Sequence, residues 1–186
     1  MPLLLLLLTS NSWAHLQVLV YGPTATVEIA QLETHHYVTV WDDSDWRAAS
    51  AEDFLGFDAI VVGDMGCESP SSTDFDALVA TQDTWAPAVD GNILVTTLAT
   101  SCHLDSGDGV TEVMEQIMLW VGRGGTGMWM ATGGSSASLD GLEHWGSFTS
   151  TRRNSDSLST IDDAPYLWGS ITSTDISGWD LSLIHI

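Results

Sequence analysis

The sequence predicts an α/β protein in which a parallel sheet carries helices on both faces, and three observations support that class. Short apolar runs without polar alternation recur along the chain, the clearest being Phe57-Asp58-Ala59-Ile60-Val61-Val62-Gly63-Asp64. Strands look like this when both sheet faces are covered, because then no side chain needs to suit water. Helix-like stretches separate the runs, as parallel neighbours require, since each connection must cross back over the sheet. Val110, Val113, Met114, Ile117, Met118 and Val121 recur with a period of about 3.6 residues ahead of Gly122, which marks an amphipathic helix and its stop. Helix-strand alternation and right-handed crossovers give an expected strand order of 2-1-3-4-5.

The elements follow in order. Strand one, Leu16 to Tyr21, turns through Gly22-Pro23 into a helix with Thr24 as its expected cap and Val27, Ile29, Ala30 and Leu32 on its buried side. Strand two is Tyr37 to Trp41. Asp42-Asp43-Ser44-Asp45 then caps a short helix that ends near Leu55-Gly56, where glycine suits a left-handed terminus. Strand three runs from Asp58 to Gly63. Thr73 and Asp74 are placed to cap a third helix reaching about Gln82, before Trp85-Ala86-Pro87 interrupts it. Strand four is Asn92 to Leu98, the amphipathic helix is Val110 to Val121, and strand five is Thr126 to Ala131. Beyond Gly133-Gly134, Ser, Thr, Gly and Asp dominate through Asp163, giving an irregular C-terminal region of the kind found at functional rims.

At 186 residues the chain suits one domain with a substantial core. Four Arg and no Lys stand against 25 Asp and Glu, for a net charge of −21. Nucleic-acid and anionic-membrane roles both need clustered cations, so this composition argues against them. The acidity reads as a solubilising coat of solvated carboxylates. Residues 3 to 8 are Leu, followed by Thr9-Ser10-Asn11-Ser12-Trp13-Ala14, which reads as a secretory leader cleaved after Ala14. That run is too short to span a bilayer. No Lys or Arg precedes it, which points to a start codon further upstream. Residues 181 to 186, Leu181-Ser182-Leu183-Ile184-His185-Ile186, look like one reading frame of a transposon-end sequencing adapter. The expectation is a single secreted or periplasmic domain over 15–180, cut short at its C-terminus, with ends that make few long-range contacts.

Parallel strands deliver their carboxyl ends to one edge, where a ligand site is expected. The loops after Tyr21, Trp41, Gly63, Leu98 and Ala131 would form it, which selects Asp42, Asp64, Cys102, His103 and Ser135. Cys67 and Cys102 lie just past strands three and four, neighbours in the expected order, so a disulfide is predicted in a secreted chain. The alternative makes Cys102 a nucleophile assisted by His103 or His144. Neither Asp42, Asp43 and Asp45 nor Asp105 and Asp108 with Gly107 and Gly109 match the roughly 12-residue EF-hand spacing, so these serve turns and caps and no metal is expected. His35-His36, at a helix-strand junction, reads as a solvated pair in the absence of a third ligand. Pro23-Thr24-Ala25-Thr26 resembles a phosphate loop, but Glu28 in the following turn would repel a phosphate, so no flavin or other cofactor is expected. Trp41, Trp120 and Trp129 fall inside elements and read as core. Trp145, Trp168 and Trp179 lie in the irregular region, where an exposed ring could stack on a sugar.

Val18-Leu19-Val20-Tyr21, the segment Asp53-Phe54-Leu55-Gly56 through Asp64, and Ile93-Leu94-Val95-Thr96-Thr97 carry a family resemblance. On these, Leu16 to Gly134 resembles the flavodoxin-like domain of the class I glutamine amidotransferase-like superfamily, especially its trehalose-utilisation-type and non-catalytic secreted members. The resemblance implies a Cys nucleophile in a Gly-x-Cys-x-Gly elbow after a strand, with His and Glu partners downstream. Here that place reads Ala99-Thr100-Ser101-Cys102-His103-Leu104-Asp105, without either glycine, and Glu143-His144 is adjacent rather than spaced. The expectation is a secreted amidotransferase-like domain without glutaminase activity, acting as a binding or cell-surface module for carbohydrate. A Cys102-dependent hydrolase or amidotransferase is the alternative.

Overall fold

A computed structural model of the chain describes residues 15–63, 72–96, 110–131, 142–145 and 183–185. Five strands are parallel: β1 (Gln17–Tyr21), β2 (Tyr37–Trp41), β3 (Ala59–Val62), β4 (Ile93–Thr96) and β5 (Gly127–Ala131). The helices are α1 (Thr26–Leu32), α2 (Asp43–Ala48), α3 (Ala51–Phe54), α4 (Asp76–Ala80), α5 (Gln82–Trp85) and α6 (Val110–Val121), with 3₁₀ turns at Ser72–Phe75 and Ala86–Ala88. The apolar runs behave as their composition requires. Every residue of β3 and β5 is buried, and so are Val18 to Tyr21 of β1, so both sheet faces are covered.

The sheet order is β2-β1-β3-β5-β4, with a short edge strand β6 (Leu183–His185) beside β4, which corrects the expected 2-1-3-4-5 by exchanging strands four and five. Right-handed crossovers explain what the exchange achieves. The steps β2 to β3 and β3 to β4 cross the sheet in one sense and place α2 to α5 on one face. The steps β1 to β2 and β4 to β5 run in the opposite sense and place α1 and α6 on the other. The cores agree: Val18, Val20, Ala59, Val61, Leu94 and Trp129 pack with Leu32 of α1 and Met114, Ile117 and Met118 of α6. Leu19, Ile60, Val62, Val95, Met128 and Met130 pack with Trp46, Phe54, Leu78 and Trp85. In the expected order α6 would have joined α2 to α5, leaving the seven-residue α1 to cover its face. The sequence after Gly133-Gly134 has no amphipathic period to add another helix there, so covering that face requires α6. A strand buried at all five positions also belongs inside the sheet, whereas β4 begins on the partly exposed Ile93.

Local chemistry accounts for several boundaries. Asp42 caps α2 as expected, accepting from the Ser44 and Asp45 amides, and Ser50 with Asp53 forms a second capping box that starts α3. The expected single helix therefore divides at Ala49-Ser50. Thr24 does not cap α1. The N-cap is Ala25, and Thr24 is buried with its hydroxyl 3.4 Å from the Tyr21 carbonyl oxygen. The third helix divides into a 3₁₀ turn, α4 and α5, and the second 3₁₀ turn carries Pro87. Asn92 donates to the carbonyls of Trp120 and Arg123, satisfying groups that the end of α6 leaves open. Gly124 and Gly125 then turn the chain into β5 at φ +84° and +136°, where a Cβ would be strained.

The chain end departs from expectation. Leu183–His185 forms β6, antiparallel to β4, with Leu94 opposite His185 and Thr96 opposite Leu183. An open parallel edge presents unpaired N–H and C=O groups, and the short strand beside it pairs with them. Among the described residues no helix is long and apolar enough to cross a membrane.

Candidate functional site at the carboxyl edge of the sheet

β1 and β2 are neighbours in register, Tyr21 opposite Trp41, so both end together at the carboxyl edge. The Tyr21 hydroxyl donates to Asp43 Oδ1 at 2.5 Å. Burial, followed by that carboxylate, pushes the phenol well above the ordinary tyrosine range, because both disfavour a second negative charge. Asp42 is exposed beside this pair, its Oδ1 accepting from Ser44 N at 2.7 Å, Ser44 Oγ at 2.7 Å and Asp45 N at 2.9 Å. Those bonds, led by the Asp45 amide, hold its carboxyl below the usual carboxylate range. The edge therefore presents the fixed anionic oxygens of Asp42, suited to accepting hydroxyl or amide protons from a ligand, while Tyr21 is fully buried.

β3 reaches the same edge through Gly63. A Cβ there would lie 2.5 to 2.7 Å from Ala25 Cα, Ala25 Cβ and the Thr24 carbonyl oxygen, so only glycine lets β3 end against the turn into α1. Glu28 in the first turn of α1 is fully buried.

Of the residues selected from sequence, the structure places Asp42 at this edge. His144 lies in the turn 142–145, which packs over the α2–α5 face: Leu142 is buried and Trp145 stands 5.6 Å from the Trp85 ring. Asp64, Cys67, Cys102, His103 and Ser135 lie outside the described residues, as do the leader 1–14, Asp105, Asp108, Trp168 and Trp179. The premise of the disulfide changes, however. β5 stands between β3 and β4, so those strands are two spacings apart, roughly 10 Å. Their ends are not side by side, and adjacency no longer argues for a Cys67–Cys102 bond. Trp129 is buried and Trp41 and Trp120 pack against the two cores, as the sequence suggested, and Trp145 joins them as a partly buried ring.

Sequence reasoning missed two features. Tyr21 was visible only as a strand residue, and its bond to Asp43 depends on two strands ending in register. The second lies at the opposite, amino edge, where His36 is not the solvated residue expected. Its side chain is 1% exposed and its Nε2 stands 3.7 Å from Oε2 of Glu115 on α6, while His35 Nε2 stands 3.9 Å from Oε1. Burial, then the neighbouring His35 and His15, lowers the His36 pKa, and burial raises that of Glu115 against the pull of His35. Among the described residues no group of three or more His, Cys, Asp and Glu is arranged to hold a metal ion.

Comparison with protein-family models, with curated proteins and with solved structures finds no match to this chain.

Proposed function

We propose that this chain is a secreted amidotransferase-like module that binds a carbohydrate ligand at the carboxyl edge of its parallel sheet without turning it over. The observation that carries this reading is the exposed carboxylate of Asp42, fixed by three hydrogen bonds next to the buried Tyr21–Asp43 pair at the ends of adjacent parallel strands. Sugar hydroxyls donate hydrogen bonds, and a fixed, exposed carboxylate accepts them. The absence of both elbow glycines around Cys102 supports binding over acyl transfer, since a thiolate needs that strained turn to project toward backbone donors. Calorimetric titration with a panel of neutral oligosaccharides tests the reading. One class should bind, and Asp42→Asn should weaken it about tenfold, the loss of one hydrogen bond to a charged group. A panel without binders, or an affinity unchanged in the variant, would refute it.

A second reading is favoured by the strand order. With β5 between β3 and β4, Cys102 is not drawn to Cys67 by adjacent strands, which leaves the thiol for hydrolase or amidotransferase chemistry with His103 or His144 assisting. Assays of the native protein and of Cys102→Ala separate the two: turnover that the variant loses carries the second reading, and ligand binding that the variant keeps without turnover carries the first.

A further inference from the structure

The amino edge of the sheet holds a cluster that the carboxyl-edge site does not use. His36 sits where the α1–β2 turn meets β1 and α6. Its Nδ1 lies 3.4 Å from the Leu16 amide, a long bond in which the backbone N–H is the donor. That fixes the tautomer, because Nδ1 must carry its lone pair and the ring proton must sit on Nε2. Nε2 faces Glu115 Oε2 across 3.7 Å, too far for a hydrogen bond, and both atoms are buried without a hydrogen-bond partner. The surrounding elements also carry Glu33 at the end of α1, Glu112 in the first turn of α6, His15 before β1, whose Nδ1 lies 2.6 Å from the His35 carbonyl oxygen, His35 in the turn itself, and Tyr37 at the start of β2, whose ring packs on His15 at 5.5 Å.

We propose that His36 is an acid-sensitive latch, which exchanges the Leu16 amide bond that ties it to β1 for a charged bond to Glu115 on α6. A second ring proton must go to Nδ1, the atom at which the Leu16 N–H already points. Two donors cannot share that position, so the Leu16 bond breaks. The imidazolium then gains an attraction to the Glu115 carboxylate that the neutral ring lacks, and Nε2–H closes the 3.7 Å gap. The proton comes from solvent and no covalent bond changes. The two arrangements are discrete, one bond lost as another forms, as a switch requires.

The linkage has a definite sign. A histidine whose folded pKa lies below its unfolded value of about 6.5 binds its proton more readily when the fold opens, so stability falls as pH drops through that value. Glu115, raised in the fold by burial, acts in the opposite sense, so the two groups are told apart by following the His36 ring itself.

The test follows the His36 ring resonances of the full chain by NMR between pH 8 and 5, together with hydrogen exchange of the Leu16 amide corrected for its intrinsic pH dependence. His36 should titrate below about pH 6.5, and Leu16 should lose at least tenfold in protection with the same midpoint. His36→Asn keeps an acceptor near the Nδ1 position and cannot titrate, so its Leu16 protection should stay level over that range. Leu16 protection that is unchanged across the His36 midpoint overturns the latch. So does a His36 ring that stays neutral until the whole chain unfolds. The wild-type measurements decide the matter even if the variant does not fold.

Discussion

Tyr21 shows how much one side chain takes from its neighbours. Its ring stands 5.1 Å from that of Trp46, edge-on, and its hydroxyl reaches Asp43, so the phenol is held neutral between an apolar wall and an anion. Absorbance near the phenolate band should therefore show one of the three tyrosines resisting ionisation beyond pH about 10. Because the folded pKa is the higher, the stability tied to Tyr21 is present below pH 10 and lost as pH rises through the folded value. Tyr21→Phe should abolish the delayed step and cost about 1.5 kcal/mol in urea unfolding at pH 7. A buried pair inside the sheet gives a second check. The Trp129 indole donates to Thr96 Oγ1 at 3.1 Å across β5 and β4, both side chains being buried. Thr96→Val preserves the shape but leaves that N–H without an acceptor, and should cost about 1–3 kcal/mol in the same assay.

At the end of β3, Gly63 is tightly constrained, since β3 can meet the turn into α1 only without a side chain. Gly63→Ala should destabilise the chain by about 1–3 kcal/mol, the ordinary cost of overpacking a closed contact, and a variant as stable as the parent would show that the β3 end is not packed against Thr24-Ala25. Which elements exist was legible in the sequence because their signals are local. The five apolar runs became β1 to β5, and the period over Val110 to Val121 became α6 with those bounds. Asp42 was recognisable as a cap because its partners lie two and three residues away. What could not be read was long-range. That His36 is buried depends on Glu115, 79 residues later (115 − 36), coming to rest against it. The capping failure at Thr24 arises because β3, closing through Gly63, crowds the turn that a cap would need.

Across the whole molecule the exchanged strand order is the main departure from expectation, and it follows from coverage of two faces by few helices. Contacts should confirm it. NMR cross-peaks should join Ile60 to Met128 and Leu94 to Trp129, the registered neighbours, with none between Ile60 and Leu94. Direct β3–β4 cross-peaks would restore the order 2-1-3-4-5 and with it the adjacency argument for a Cys67–Cys102 bond. The same exchange bears on function, since it decides which strand ends frame the carboxyl edge next to β3. The central functional claim is that this edge binds without thiol chemistry. Its most direct test is glutamine hydrolysis by the full-length protein, measured as ammonia release with and without Cys102→Ala. We predict no turnover above buffer in either protein, whereas turnover in the parent that disappears in the variant would contradict the binding-module account.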